Sequence, residues 1–453
     1  MDMRAEEDPA GVSERTKQAG EAQERRERWA WAEPSVWTDR MLEALENGVK
    51  GGEWFSLIDK VYRQENLRRA FKKVKENRGA SGVDHVTVDG FARNLDEEIG
   101  QLSEALKTGR YEAQAARRVY IKKPGTREKR PLGIPTVRDR VCEGALRQVL
   151  EPIFEREFQD NSYGFRPGRS AKEALRTVDD GLKEGKRYVV DADIRRYFDT
   201  IPHDRLLERV GERIADSRVM GLLRQMLERG VLEDHEWEET EMGTPQGGVI
   251  SPLLANVYLN PLDHLMRGSG HELVRYADDL VILCETQAQA DAAYALLRTW
   301  VEEQGLSLHP EKTRIVNMNE PGSGFDFLGY HFAHTRTGKL DRWPSPKSLG
   351  KLKGRICDLT HRANGRSLEE TIRLINQTTR GWFNYFKQGN RWTFRRLDSW
   401  VRMRLRSILR KRAHRKGRGR GLDHHRWKNA YFTTHGYFSL YAAHVEACQS
   451  ACR

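Results

Sequence analysis

"RYADDLVILCE", residues 275–285, sets two adjacent carboxylates, Asp278 and Asp279, between an aromatic and the apolar run Leu280-Val281-Ile282-Leu283. Asp is depleted from strands, and a carboxylate on an apolar strand loses hydration that something must replace. A second acidic spot, "DAD" at 191–193, lies inside the equally apolar "RYVVDADIRRYFDTI" (187–201). Either spot alone reads as an ordinary turn or capped loop. Together, flanked by strand residues, they predict acids meeting at the exposed end of a shared sheet. Three carboxylates at one spot repel one another unless a divalent cation neutralises them. Hard oxygen ligands with neither Cys nor His point to Mg2+, which keeps open positions for water and phosphate oxygens. Two such ions about 3.5–4 Å apart clamp the attacking and leaving oxygens of a phosphoryl transfer.

The segments around these strands have their own signatures. "RRVYIKKPGTREKRPLGIPT" (117–136) alternates apolar residues at Val119 and Ile121, turns at Pro124-Gly125 and returns through Leu132 and Ile134, a basic β-hairpin. "SYGFRPGRSAKEAL" (162–175) is a loop entering a helix, with Ser170 and Glu173 spaced for a capping box. "GTPQGGVISPLLANVYL" (243–259) is a Gly-rich loop feeding a helix, with Ser251 the expected N-cap and Pro252 the first helical residue. Helical spacing covers 37–50, 54–79, 203–229 and 287–304, while 306–316 and 325–332 read as further strands. A strand, helices and then a strand hairpin suit a split βαβ sheet. Residues 1–35, of mixed charge and few apolar residues, read as flexible.

The chain has 453 residues, a formal net charge of +12 and a pI near 9.4. A surplus of that size favours a polyanionic partner, nucleic acid ahead of a membrane face. The charge is concentrated: residues 340–428 hold 25 Lys and Arg against six Asp and Glu, on stripes of helical spacing such as Leu349, Leu352, Ile356 and Leu359. Trp382, Tyr385, Phe386, Trp392 and Trp400 lie among them, and basic residues interleaved with aromatics are a nucleic-acid footprint. Five scattered Cys argue against a disulfide framework and for a reducing compartment. No stretch approaches the roughly 20 apolar residues of a membrane span, and the first 30 residues lack a signal peptide's apolar core, so a cytoplasmic, non-membrane protein is expected.

"YADD" in this apolar setting resembles the Tyr-x-Asp-Asp box of reverse transcriptases. The order of "NRGASGVD" (77–84), "YIKKPGTREKRPLGIPT" (120–136), "NSYGFRPGRSA" (161–171), "VDADIRRYFD" (190–199), "GTPQGGVISPLLAN" (243–256), "RYADD" (275–279), "PEKTRIV" (310–316), "FDFLGYHF" (325–332) and "RGWFNYF" (380–386) is similar to that of bacterial group II intron-encoded reverse transcriptase/maturases. The resemblance runs from about 55 to 440. It implies an α+β right-hand polymerase: fingers and palm with an antiparallel split-βαβ sheet, plus an all-helical basic thumb. The expected divisions are a flexible extension (1–53), an N-terminal fingers extension (54–116), fingers and palm (117–335), a helical thumb or maturase domain (336–425) and a short tail (426–453).

The resemblance also implies roles. Asp193, Asp278, Asp279 and the backbone carbonyl of Ile194 would hold two Mg2+ ions, with Mn2+ as a substitute; Asp191 and Asp199 would be structural. Lys312 would protonate the departing pyrophosphate. Lys123 and Arg130 would contact the incoming triphosphate, Phe198 would abut the sugar 2′ position, and Gln246 would lie beneath the new base pair. Tyr276 and Ala277 would border the primer end, the small Ala leaving room for that strand. The implied partners are group II intron RNA, an RNA template with a DNA primer, target DNA and dNTPs, and the implied work is cDNA synthesis together with intron splicing and mobility in a bacterial cytoplasm. The nuclease that many relatives carry is not expected after "YFTTHGYFSLYAAHVEACQSACR" (431–453), where His444, Cys448 and Cys452 are spaced along one helix face but no second ligand pair follows. Two other readings share these motifs: a freestanding reverse transcriptase serving repair or defence, and an RNA-binding splicing factor whose polymerase is idle.

Overall fold

The computed structural model describes residues 20–49, 51–122, 129–233, 236–245, 247–335, 337–363 and 365–451. Three small sheets are strung between helices. The fingers sheet has the order β2-β1-β4-β5, from β1 (Ala116–Lys122), β2 (Lys129–Ile134), β4 (Val231–Glu233) and β5 (Glu236–Glu238). β1 and β2 form the expected antiparallel hairpin, while its turn at Pro124-Gly125 lies outside the described residues. The palm sheet has the order β6-β7-β3-β8, from β3 (Tyr188–Asp193), β6 (Glu272–Tyr276), β7 (Asp279–Cys284) and β8 (Arg314–Asn317), all antiparallel. β9 (Gly324–Phe327), β10 (Tyr330–His334) and β11 (Leu340–Pro344) make a third sheet leading into the thumb.

Apolar periodicity explains most of the helices. α1 (Gln64–Asn77) buries Leu67, Ala70, Phe71 and Val74 against α2 (Val137–Glu155). Gly144 permits the close crossing, because a Cβ there would lie 3.1 Å from that of Ala70. α3 (Ala171–Lys183) starts at the expected capping box, with Ser170 and Glu173 bonding each other's backbone reciprocally. α4 (Ser251–Gly268) and α5 (Gln287–Glu303) cover one face of the palm, and α3 with the β9–β10 hairpin packs on the other. α6 (Pro346–Leu359), α7 (Leu368–Phe386) and α8 (Arg391–Arg412) build the thumb around Ile356, Ile375, Phe394, Val401 and Ile408.

Several expectations need correction. The described part of the N-terminal segment is structured rather than flexible: 20–28 are helical, a helix spans Asp39–Asn47, and Val36, Trp37, Leu42 and Leu45 are core residues. The Trp37 indole N–H donates to the Gln148 carbonyl at 3.0 Å, which ties the segment to α2. Sparse apolar residues hid this, because three tryptophans bury much area in few positions. The tail also belongs to the thumb, since α9 (Leu440–Ala451) packs on α8 with Phe432 and Leu440 fully buried. Asp398, 1 % exposed, accepts from Tyr437, Ser439 and the backbone N–H groups of Leu440 and Tyr441, thereby capping α9. "FDFLGYHF" is a hairpin rather than one strand, turning at Leu328 and Gly329, both with positive φ. Ser251 is not the N-cap of α4: Ile250 is, and the Ser251 hydroxyl donates back to Pro245 O at 2.9 Å. Of 306–316 only the end becomes strand; Pro310 lacks a donor, and the chain turns before β8.

Candidate active site at the edge of the palm sheet

The two acids of the quoted stretch do not continue one strand. β6 ends at Tyr276, Ala277 and Asp278 form a two-residue turn, and β7 begins at Asp279. Asp279 pairs across the ladder with Asp193, the last residue of β3, so register alone brings the two acidic segments together. Ala277 takes φ +58°, uncommon for a residue with a Cβ. The turn is pressed from outside by Gly164, where any Cβ would lie 2.3 Å from the Ala277 nitrogen. Ala277 is buried, and the lack of a side chain at Gly164 is what lets the 162–165 loop close on its backbone.

The site is crowded with negative charge. Burial, then the charges of Asp278, Asp191 and Asp193, push the Asp279 carboxyl up to about 7. Asp278 is raised by burial and by Asp193, against the pull of Arg130 and Lys312. Asp191 is raised to about 6 by burial, although Arg314 lies 3.5 Å away and opposes the shift. Lys312, brought round by the turn that links Leu308 to β8, places its ammonium on the Asp193 carboxylate. His309 N–H donates to the Asp193 carbonyl at 2.7 Å, holding that turn against the end of β3. The donor set is all oxygen and carries charge that the surrounding protein does not balance, which fits a divalent cation. Ile194 follows directly, its side chain buried. The carboxylates share one sheet edge but do not close round a single point. Among the described residues no three His, Cys, Asp or Glu side chains are grouped closely enough to hold an ion, and Lys312 takes one of the Asp193 oxygens.

Beneath the turn lies a polar network that sequence reasoning missed. Arg275, wholly buried, forms a bidentate ion pair with the equally buried Asp263 of α4, its Nε lying 2.8 Å from one carboxylate oxygen. Its remaining nitrogen donates to Asn256 at 2.9 Å and to the carbonyl of Ala277 at 3.1 Å. Asn256 in turn donates to the Gly164 carbonyl at 2.7 Å. Arg275 thus ties the acidic turn, the fingers loop above it and α4 below it into one unit. The only cue in sequence was an Arg preceding the acids on an apolar strand.

A second buried ion pair supports the loop at 243–249. Glu143 of α2 and Arg229, each 1 % exposed, lie 2.6 Å apart, and the other Glu143 oxygen accepts from the Val249 N–H. Gly247, at φ +119°, could not carry a Cβ, which would lie 2.5 Å from the Gly133 carbonyl of β2. The loop is thereby clamped against the fingers sheet. Gln246 and Lys123 lie outside the described residues. Arg130, on β2, is close enough to Asp278 to lower its pKa. Phe198 is half-buried, with Tyr197 at 5.5 Å and Phe165 at 6.5 Å between ring centres; Phe165 also approaches Tyr276 at 6.4 Å. Phe165, exposed and at φ +60°, completes an aromatic rim above the acids that the sequence did not single out. From the thumb, Tyr385 feels the charge of Asp279 and donates to the Leu328 carbonyl at 2.8 Å.

Among the described residues His444 and Cys448 form no comparable centre. His444 Nε2 lies 3.6 Å from the Cys448 sulfur, its Nδ1 is occupied by the Lys387 carbonyl at 2.9 Å, and Cys452 lies outside the described residues. Cys142, Cys284, Cys357 and Cys448 are free thiols. Among the described residues no helix is long and apolar enough to cross a membrane.

Comparison with known proteins accords with this geometry. Residues 121–332 match the family described as reverse transcriptase (RNA-dependent DNA polymerase), and residues 349–428 match the group II intron maturase-specific domain. The chain is 34 % identical over 351 residues to Protein YkfC of Escherichia coli (strain K12), a match covering 68 % of this chain and 87 % of that one. It is 42 % identical over 196 residues to the group II intron-encoded protein LtrA of Lactococcus lactis subsp. cremoris, covering 43 % of this chain and 32 % of LtrA. The first match spans the palm sheet and most of the fingers sheet, the second spans most of α6 and all of α7 and α8, and the chain belongs to the group II intron-encoded reverse transcriptase/maturases.

Proposed function

We propose that this protein copies RNA into DNA at the palm edge and grips intron RNA with its thumb, assisting splicing and mobility of a group II intron in a bacterial cytoplasm. The observation that carries the proposal is the register of β3 against β7, which sets Asp193 beside Asp279 with Asp278 adjacent in the turn. Asp193, Asp278, Asp279 and the Ile194 carbonyl would hold two Mg2+ ions, with Mn2+ the alternative. Bound there, the ions would lower the pKa of the primer hydroxyl and neutralise charge on the leaving phosphates.

The remaining steps fall to the chain's own groups. Arg130 and Lys123 would orient the triphosphate of the incoming dNTP. Phe198 would fill the space a ribose 2′-hydroxyl needs, and Gln246 would support the new base pair on the clamped 243–249 loop. Tyr276 would border the primer end. Lys312 would leave Asp193 as the substrate binds and give its proton to pyrophosphate. RNA template with DNA primer, intron RNA and target DNA are the expected partners. The thumb's Lys and Arg supply salt-sensitive affinity for phosphates.

Primer extension on an RNA template with Mg2+ tests the proposal. The Asp278→Ala protein should synthesise no cDNA yet bind RNA nearly as well as the parent. Normal synthesis by that variant would sink the mechanism, and RNA binding without synthesis by the parent would favour the splicing factor with an idle polymerase.

A further inference from the structure

α8 carries an aromatic face that the thumb core uses only in part: Trp400 packs against the core, whereas Trp392 stands outside it. Trp392, Arg396 and Trp400 recur every four residues along it, and with Trp343 of β11 and Lys353 of α6 they line an open cleft of about 420 Å3. That volume is within the range of sites for small organic groups. Trp392 is half exposed, and the guanidinium carbons of Arg391 and Arg395 lie 5.3 and 5.4 Å from its ring centre. Lys353 Nζ lies 5.9 Å from the Trp400 ring. Among the described residues no carboxylate pairs with Lys353, Arg391, Arg395 or Arg396, although ion pairs are frequent elsewhere on the surface. Exposed indole edged by uncompensated cations offers a flat apolar face ringed by positive charge. Its complement is a flat π-face joined to phosphates.

We infer that this cleft stacks an unpaired nucleobase of a bound RNA strand. The inference rests on the reading of the thumb as the part that grips RNA. A duplex presents backbone and groove edges, with its base faces already stacked; an unpaired base has a free face for the indole. Arg391, Arg395 and Arg396 would hold the flanking phosphates, and Trp343 would wall one end of the cleft.

The test uses the full chain and two RNA hairpins with the same stem, one blunt and one with an unpaired overhang, with binding followed by fluorescence anisotropy at fixed salt. Trp392→Ala should weaken binding of the overhang hairpin by about 5- to 100-fold, the effect of one lost stack, and leave the blunt hairpin within about twofold. Trp392→Phe should recover most of the loss. One abasic residue in the overhang should weaken binding to the parent and not to Trp392→Ala. Equal loss on both hairpins, or no loss on either, overturns the inference while the thumb still binds RNA. Failure of the parent to bind either hairpin would instead overturn the RNA-gripping reading on which it rests.

Discussion

The palm edge and the thumb handle charge in opposite ways. At the palm, carboxylates are half-buried and crowded, and the ion pairs that hold their turn and the neighbouring loop, Arg275–Asp263 and Arg229–Glu143, are sealed from solvent. On the thumb, most cations face outward beside exposed aromatics, and the buried acids are engaged within the domain, Asp398 in capping α9 and Asp423 in pairing with Arg410. Buried charge fixes geometry because an unpaired partner is expensive. Exposed charge is screened and individually weak, so it suits additive, salt-sensitive contact with a polyanion. One chain thus contains a rigid acidic edge and a broad basic grip.

The largest expected contrast is in catalysis. Asp278→Ala should lower cDNA synthesis by at least about a hundredfold, as loss of a principal charge-stabilising group does, with RNA affinity unchanged. A comparable loss of RNA affinity would mean that palm and thumb do not divide the work.

Next in size is stability. Asp263→Asn strands Arg275 in a buried site, and loss of one partner of a buried pair costs about 3–5 kcal/mol. Denaturant unfolding should register this as a clear fall in midpoint. Glu370→Gln in the exposed Glu370–Arg373 pair of the thumb should leave the midpoint unmoved. Similar shifts for both would remove the distinction between sealed and exposed charge.

A smaller effect should come with pH. With divalent ions chelated, the fold holds Asp279 at about 7, above its ordinary value of 3.8, and therefore favours the protonated form. That stabilisation is complete below about pH 4 and is lost as pH rises through about 7. Thermal melting should show stability declining over this window. Asp279→Asn should flatten the decline, and Mg2+ should raise the melting temperature most at the upper end. A melting temperature that climbs from pH 5 to 7 in the chelated parent, and not in Asp279→Asn, would contradict the crowding.

The smallest expected effect is on a single thumb cation. Arg355→Gln on α6 should reduce the slope of log affinity against log salt for RNA by about one at most. A change in the rate of primer extension on a short template without any change in slope would place Arg355 with the palm rather than the grip.

Much of the architecture was legible because its causes are local. Alternation announced β1 and β2, helical spacing announced α5 to α8, and Ser170 with Glu173 announced the start of α3. The acidic turn was legible as a pair of acids on apolar backbone, but not as a turn, since Asp279 opens β7 and Asp278 precedes it. The buried supports were illegible. Arg275 and Asp263 are 12 residues apart and Glu143 and Arg229 are 86 apart, and each resembles a solvated surface residue until the fold encloses it. The N-terminal anchor was also hidden, because Trp37 finds Gln148 across 111 residues.

The amino-acid sequence by itself determined the kinds of element, the acidic and basic division of labour, and the family, because periodicity, composition and motif order are properties of neighbours along the chain. Only the tertiary structure decided that Asp193 stands opposite Asp279, that Lys312 occupies the gap beside them, and that Arg275 fastens their turn from below. Those contacts depend on strand register and on packing between distant segments, where the energy of a charge is set by what surrounds it rather than by what precedes it.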